Sequence, residues 1–298
     1  MKRLLVFLLI LMPLLSNAQK GHKRMKKKVS YAQGTLFGYW GYNRSGFTKS
    51  NIRFVGPAYD FTMQGAVAYD NPEEFNFTVY FDPKQITIPQ FNARIGYYFK
   101  DHWAISFGYD HMKYIFADNN QVNLSGEIDA SVDAQWTGTF NGEPITTNRK
   151  FFHYENSDGL NYIRLELTRT DMLWKTGNND WFAVSSNLGL STGALLSYND
   201  FILGAHPIDE SNINEKKTIS LSGYGLSAHL GLRLEFFRHV FFQSTFSGGL
   251  NHQLKVRTRP NDPSSYARHA YGFIMSDTVL GFLFYIRSKN GCDSCPVW

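Results

Sequence analysis

The stretch LSAHLGLRLEF, residues 226–236, alternates strictly between apolar side chains and polar, charged or glycine residues. Successive side chains of a β-strand point to opposite faces, so this stretch has one wholly apolar face and one polar face. Ser227, His229, Arg233 and Glu235 share the polar face. Residues 160–174 and 181–195 repeat the pattern. The alternation predicts long strands with one face in an apolar environment.

Short turns flanked by aromatic residues separate pairs of these alternating segments. They lie at residues 97–103, 174–181 and 236–242. Aromatic rings at strand ends are typical of a transmembrane β-barrel, where they lie at the headgroup boundary. We therefore predict an all-β fold, a transmembrane antiparallel β-barrel. A secreted soluble β-sandwich is the alternative reading.

The alternating segments predict about eight strands, each long enough to cross a bilayer at a tilt. They lie near residues 34–43, 85–99, 102–116, 160–174, 181–195, 217–236, 239–256 and 267–286. The long connections, at 44–84, 117–159, 196–216 and 257–266, alternate with the short turns. Because barrels of this class have short periplasmic turns and long extracellular loops, both termini are predicted to be periplasmic. Breaks of phase at Pro89 and around residues 223–225 predict bulges or bends.

The two ends of the chain differ in composition from the barrel, which is predicted to span residues 33–287. Residues 1–18 have a basic start, an apolar run and small residues at the end, as a secretory signal peptide does. Residues 19–32 form a basic segment, and residues 288–298 form a tail that holds Cys292 and Cys295. A small disulfide loop is the simplest reading of this pair in an oxidising compartment, ahead of a redox or metal site.

The net charge of +5 is local to the N-terminus. Eight of the 30 Lys and Arg residues fall within residues 1–28, where there is no acidic residue, which leaves 22 basic against 25 acidic residues elsewhere. Nucleic acid is therefore not predicted as a partner. The basic segment is predicted to be a solvated tail, with docking on an acidic periplasmic protein as the alternative.

The inward phase of the strands predicts a polar lumen. An eight-stranded barrel is only wide enough to be filled by its own side chains, so opposite charges there should pair. General porin activity is therefore disfavoured. The predicted network comprises Asn92, Arg94, Asp110, Arg164, Glu166, His229, Arg233 and Glu235, together with Gln243, Asn251 and Lys255 from the next strand.

On these features the chain resembles the small eight-stranded outer-membrane barrels of the OmpA, OmpX and PagL type, over about residues 33–286. The signal-peptide end at 16–19 and the segments 95–98 and 105–110 resemble outer-membrane barrels of Bacteroidota. The resemblance implies an outer-membrane location in a Gram-negative cell envelope, assembly by the BAM machinery and no cofactor. Such barrels include adhesins, anchors, complex subunits and lipid enzymes, so the fold does not fix the activity.

Ser227 and His229 are weak catalytic candidates, because they share the inward face two residues apart. The lipid A deacylases place a His and then a Ser at this spacing, and the order here is reversed. A buried polar network is the simpler reading. Asp110 and His111 invite comparison with barrel proteases, but adjacent strand residues face opposite ways. No metal site is predicted.

The long connections at 44–84 and 117–159 are predicted to carry recognition, because long loops on a rigid scaffold commonly do. The second is net acidic but lacks the spacing of a calcium loop. We therefore predict a non-enzymatic outer-membrane barrel, with structural, adhesion or complex-forming roles through its loops or periplasmic tails. Its predicted partners are outer-membrane lipid and another envelope protein. A barrel enzyme acting on outer-membrane lipid and a narrow channel are the alternatives.

Overall fold

The computed structural model describes residues 33–74, 76–82, 84, 89–132, 136–176, 181–204 and 217–286. The predicted signal peptide, the basic segment at 19–32 and the tail with Cys292 and Cys295 lie outside the described residues. Within the described part of the chain, no helix has the length and apolar character needed to cross a bilayer.

The described residues form thirteen strands and one short helix, α1 (Phe77–Phe81). The strands are β1 (Thr35–Phe47), β2 (Ser50–Gly56), β3 (Tyr59–Ala66), β4 (Ala68–Tyr69), β5 (Phe91–Lys100), β6 (Trp103–Phe116), β7 (Gln121–Ile128), β8 (Gly138–Thr146), β9 (Phe152–Lys175), β10 (Phe182–Leu203), β11 (Thr218–Phe236), β12 (Val240–Arg259) and β13 (Asp262–Tyr285).

Eight of these strands close into an antiparallel ring, in the order β1, β5, β6, β9, β10, β11, β12, β13 and back to β1. The predicted eight-stranded barrel is thereby confirmed. Its stagger follows from the register: a path of directly paired residues that starts at Phe182 on β10 passes once around the ring and returns to β10 at Thr192. This offset tilts the strands relative to the barrel axis, and a barrel of eight strands is just wide enough for side chains to fill its interior.

The outer wall of the ring is apolar. On β11, Leu226, Leu230 and Leu232 are exposed, whereas the alternate residues are buried. Aromatic residues mark the two ends of this wall. Exposed rings near the short turns include Phe99, Trp174, Trp181 and Phe237, while Trp40, Tyr42, Phe91 and Tyr109 lie towards the other end of β1, β5 and β6.

Some of the aromatic residues beside the short turns point inward. Tyr98 and Phe241 are buried, and they pack with Phe37 and Leu283 in an apolar cluster that closes the barrel at its short-turn end. The turn between β11 and β12 places both Phe237 and Arg238 at positive φ, 53° and 63°. This is the geometry of a type I′ hairpin turn, here without the usual glycine.

The two long connections nearest the N-terminus are largely β-structure. After a break in the strand at residues 48–49, β2 continues along β13 where β1 stops, with Arg53 opposite Arg268. Strands β3, β7 and β8 then extend this sheet outward. We call strands β2, β3, β7 and β8, with the outer ends of β9 to β13, the outer extension.

The outer extension encloses an apolar core. Phe54 of β2 is fully buried and stacks on Phe61 and Phe201 with ring centroids 5.2 Å away in each case. It also meets Phe152 and Tyr154 of β9 edge-on, at 5.4 Å. Apolar side chains from β2, β3 and the ring strands therefore fill the outer half of the barrel, and the polar filling predicted from sequence occupies only the inner half.

Two details of the predicted layout are wrong, the connection at 257–266 and the direction of Lys255. The connection at 257–266 is a tight turn, because β12 and β13 continue to Arg259 and from Asp262. Lys255 is exposed instead of inward-facing, because a register shift between Gln253 and Val256 reverses the phase of β12 there. The bend predicted at Pro89 is present, and it lies immediately before β5, which begins at Phe91. The predicted break near residue 223 is present as a register shift between β10 and β11.

Candidate functional site

The centre of the barrel holds a closed quartet of two arginines and two carboxylates. Arg94 contacts Asp110 at 2.6 Å and Glu166 at 3.1 Å. Arg164 contacts the same two carboxylates, Asp110 at 3.1 Å and Glu166 at 2.6 Å. All four side chains are buried. Each charge therefore has two opposite charges beside it, and the quartet is neutral overall.

Neighbouring polar groups add hydrogen bonds to the two carboxylates. The Asn92 side-chain amide donates to Asp110 at 2.6 Å, and the Ser106 hydroxyl donates to Glu166 at 3.0 Å. Burying ions is costly unless their remaining lone pairs are also satisfied, and these two residues meet part of that need. The register explains the grouping, because Asn92 lies opposite Asp110 and Ser106 opposite Glu166.

An inward-facing glycine makes room for the quartet. Gly108 is paired with both Arg94 and Arg164, and a Cβ atom on it would lie only 2.3 Å from Nε of Arg94. Sequence reasoning treated the glycines only as inward-phase residues. The feature that indicates the role of Gly108 is its position directly opposite an arginine on each neighbouring strand. This feature can be recognised only when the strand register is known.

Ser227 and His229 are both buried in the lumen but have different partners. The Ser227 hydroxyl lies 2.6 Å from that of Ser191 and accepts from Arg164 at 3.3 Å. The His229 ring lies 3.1 Å from the Thr168 hydroxyl. A serine nucleophile needs a base in hydrogen-bonding contact. The described contacts give Ser227 a serine and an arginine in that position.

A second polar layer lies between the quartet and the short-turn end. The Arg233 guanidinium stacks over the Phe241 ring at 4.1 Å and lies 5.5 Å from that of Phe37. It donates to the Gln243 side-chain oxygen at 2.9 Å and to the Tyr98 hydroxyl at 3.2 Å. Phe37 and Phe241, which we call the aromatic floor, thus support Arg233 on one side. Gln243 and Tyr98 accept hydrogen bonds from the edge of its guanidinium.

Glu235 and Asn187 belong to the same layer. Glu235 accepts from Ser185 at 3.1 Å, and Asn187 connects Gln243 at 3.0 Å with Thr170 at 2.7 Å. A cavity of about 20 Å³ lies beside this layer, lined by Arg164, His229 and Arg233 among others. That volume holds about one water molecule. The inner half of the lumen is therefore filled.

Asp277 of β13 is a buried carboxylate that sequence reasoning missed. It faces the lumen opposite Thr245 and lies between the inward-facing residues Met275 and Val279. The sequence indicates it as an acidic residue in the inward phase, between the apolar inward residues Met275 and Val279. The sequence-based network was read from other strands and left β13 out.

Asp110 and His111 point to different environments, as adjacent strand residues must. Asp110 belongs to the quartet, whereas the His111 ring stacks on Phe91 at 5.5 Å and lies 2.8 Å from the Asn161 side-chain oxygen. The two residues do not form a shared site.

The acidic residues of the second long connection are dispersed over the outer extension. Glu155 is held by His153 at 2.7 Å and Ser157 at 2.6 Å, with Arg149 at 3.8 Å. Burial would raise the pKa of Glu155, but the hydrogen bonds from His153 and Ser157 outweigh burial and lower it to about 2. Within the described part of the chain, no three metal-ligating side chains are grouped as a metal site. Asp133 lies outside the described residues.

Comparison with known proteins finds remote likenesses only. No protein-family model matches the chain, and no curated protein sequence matches it. Among solved structures, the outer membrane protein OprG from Pseudomonas aeruginosa is 12% identical with a TM-score of 0.36, over 88% of this chain and 100% of that one. The N-terminal β-barrel domain of OprF from the same organism is 11% identical with a TM-score of 0.29, over 85% and 98%.

The outer membrane protein AlkL, solved in lipid bilayers, is 11% identical with a TM-score of 0.33, over 90% of this chain and 98% of that one. At such scores these likenesses add nothing to what the strand pairing of the chain itself shows. The expected Bacteroidota source stays a prediction. The chain is an antiparallel β-barrel of eight ring strands with a β-structured outer extension.

Proposed function

We propose that this protein is a non-enzymatic outer-membrane barrel of the Gram-negative cell envelope. It holds its outer extension at the cell surface and presents it to another macromolecule, as an adhesion or complex-forming component. Its N- and C-terminal ends lie in the periplasm.

The outer surface of the ring supports a membrane location. Exposed leucine, isoleucine and phenylalanine side chains cover it, and aromatic rings flank it at both ends. A soluble protein rarely exposes so continuous an apolar surface, whereas a lipid-facing barrel wall requires one.

The observation that carries the proposal is the filling of the lumen. An aromatic floor, two polar layers and the aromatic core of the outer extension succeed one another along the axis. Passage of a solute would require breaking the buried quartet or unpacking that core. Function is therefore best located on the surfaces that the barrel presents.

The outer extension offers such a surface on β7 and β8. Glu127 and Thr139 lie opposite each other on these strands and are exposed. They border a groove of about 620 Å³, which is also lined by the β2–β3 turn at 56–60. The groove stands on a sheet that is continuous with the barrel wall, so it is held in a fixed position, as recognition surfaces commonly are.

Crosslinking in intact cells, followed by purification from solubilised outer membranes, tests this proposal. The wild-type protein should bring down a stoichiometric companion, and Glu127→Arg with Thr139→Arg should lose it. A matched control is Gln121→Arg with Thr146→Arg, an exposed pair at the other end of the same two strands. Equal companion recovery from both double variants would refute the groove as the contact surface.

Two further measurements separate the proposal from its rivals. A stable single-channel conductance in planar bilayers would contradict the filled lumen. A change in the lipid A or phospholipid profile of cells that carry Ser227→Ala or His229→Gln would favour a lipid enzyme instead.

A further inference from the structure

The apolar outer face of β11 is longer than a bilayer requires. On β6 this face runs from Trp103 to Tyr109, whereas on β11 it runs from Phe236 to Ile219. A tilted strand crosses the hydrocarbon core in about 9–11 residues. Counted from Phe236, the part of β11 between Thr218 and about residue 225 therefore lies outside the hydrocarbon core of the bilayer, at the level of the headgroups.

An aromatic pair marks the boundary on this side of the barrel. The Tyr224 ring meets the His252 ring edge-on at 5.4 Å, on the outer face of β11 and β12. Beyond it lie Ile219, Leu221 and Leu254, which we call the outer apolar patch. All three are exposed, and Leu221, at 72%, is the most exposed large apolar residue of the described chain.

A bulge places two cations at the edge of the outer apolar patch. The register shift after Gln253 turns both Leu254 and Lys255 outward, opposite Arg268 of β13. The Lys255 amine lies 5.3 Å from the centre of the Tyr266 ring, on the same face as Arg268. The sheet thus brings an apolar surface and two basic groups together at one level.

The two cations are available to a ligand. Neither Lys255 nor Arg268 forms an ion pair within the described residues. Asp60 interacts electrostatically with Arg268, but the Asp60 carboxylate already accepts a hydrogen bond from Nε of Arg53 at 2.7 Å. The favourable interaction that remains open to Lys255 and Arg268 is with an external anion.

We propose that this surface binds an anionic lipid of the outer leaflet. The lipid phosphate contacts Lys255 and Arg268, and an acyl chain lies along Leu221 and Leu254. The inference rests on the proposed membrane location and adds a ligand that the proposed function does not include.

The shape and position of the surface favour a lipid over a soluble anion. The outer apolar patch is continuous with the lipid-facing wall through Leu250 and Leu226, which are also exposed. A lipid can therefore place its chains on this wall without leaving the bilayer, while its phosphate reaches the level of the cations. Each cation near a charged membrane surface strengthens such binding about fivefold.

Native mass spectrometry of the full protein from nanodiscs tests this inference. The nanodiscs contain phosphatidylglycerol and phosphatidylcholine in equal amounts, and the lipids retained by the released protein are counted. Because two cations contribute, we expect about 25-fold enrichment of phosphatidylglycerol over phosphatidylcholine. Lys255→Gln with Arg268→Gln should abolish it, and Leu221→Ser with Leu254→Ser should reduce the total lipid retained.

The control is Lys100→Gln with Lys150→Gln, which removes the same charge from exposed positions elsewhere. It should leave the enrichment unchanged. Equal retention of the two lipids by the wild type, or an equal loss in the control, would overturn the inference. So would displacement of phosphatidylglycerol by inorganic phosphate, which would identify a soluble-anion site.

Insertion is measured separately by the gel mobility of the folded and heated protein. A protein that fails to insert refutes the proposed membrane location and this inference together. One that inserts without lipid preference refutes this inference alone.

Discussion

The Arg94 guanidinium and the Asp110 carboxylate meet 2.6 Å apart in the barrel, and neither side chain is exposed to solvent. They lie two register positions apart on neighbouring strands, β5 and β6, so the pair holds the two strands together from within the lumen. Arg164 and Glu166 on β9 extend the connection to a third strand. The pairing makes each member dependent on the others.

Removing one member of the quartet should be more harmful than removing an opposed pair. Asp110→Ala leaves two buried arginines with one carboxylate, and we expect it to cost about 3–5 kcal/mol of unfolding free energy. Arg94→Met with Asp110→Leu removes a positive and a negative charge together and should recover much of that loss. Urea unfolding in detergent, followed by gel mobility, measures both. Equal destabilisation by the single and the double change would contradict this account of the quartet.

Gly108 should tolerate no side chain. The added methyl of Gly108→Ala would lie 2.3 Å from Nε of Arg94, so the arginine must move and lose part of its ion pairing. A cost of about 1–3 kcal/mol is expected in the same unfolding assay. Gly248→Ala is the control, because the nearest atom to its new Cβ is 4.0 Å away. Similar losses in both variants would indicate a general effect of glycine replacement.

Phe54→Ala should loosen the outer extension while leaving the ring closed. Phe54 contacts aromatic rings from β3, β9 and β10, so truncation leaves a cavity in the outer core. The expected loss is about 3–5 kcal/mol for the extension. Limited proteolysis should show faster cleavage within residues 50–66, while the heat-dependent gel shift of the barrel persists. Loss of that gel shift would show that the two parts unfold as one.

Glu155 should make the stability of the outer extension depend on acid. Its pKa is lowered to about 2 from an ordinary 4.5 by hydrogen bonds from His153 and Ser157, despite its burial. A carboxyl whose pKa is lower in the folded protein stabilises it above the unfolded pKa. That stabilisation is lost as the pH falls from about 4.5 towards 2.

The matched variant is Glu155→Gln, which cannot ionise. The urea midpoint of the wild-type extension should exceed that of the variant above pH 4.5, and the difference should shrink on acidification. A difference that is constant over this range would exclude ionisation of Glu155 as its cause.

The ring could be predicted from sequence because a two-residue period is a local signal. In β11, Leu230 and Arg233 differ in phase, and the structure exposes the first and buries the second. The apolar outer wall and the contents of the inner lumen both follow from that rule. The partners of each buried residue do not, because they depend on the register around the whole ring.

The outer extension was harder to predict because its contacts are non-local. Phe54 and Phe201 stack although they are far apart in sequence, and nothing near either residue indicates the other. The exposed position of Lys255 shows a second limit. A single bulge shifts the phase of a strand by one residue, and no glycine marks the extra residue near Lys255 as Gly223 and Gly225 mark the break in β11.

The pairing of both β1 and β2 with β13 determines how the barrel would respond to a mechanical pull. Because β1 and β2 run along the same strand, β13, a load applied to the outer extension is passed to the wall along the strand direction. The backbone hydrogen bonds between β13 and its partners β1 and β2 share a force applied along the strands. If the outer extension were joined to the ring only by a hinge, a pull would break its hydrogen bonds one after another. We therefore expect the outer extension to resist detachment from the ring under a force applied along the strands.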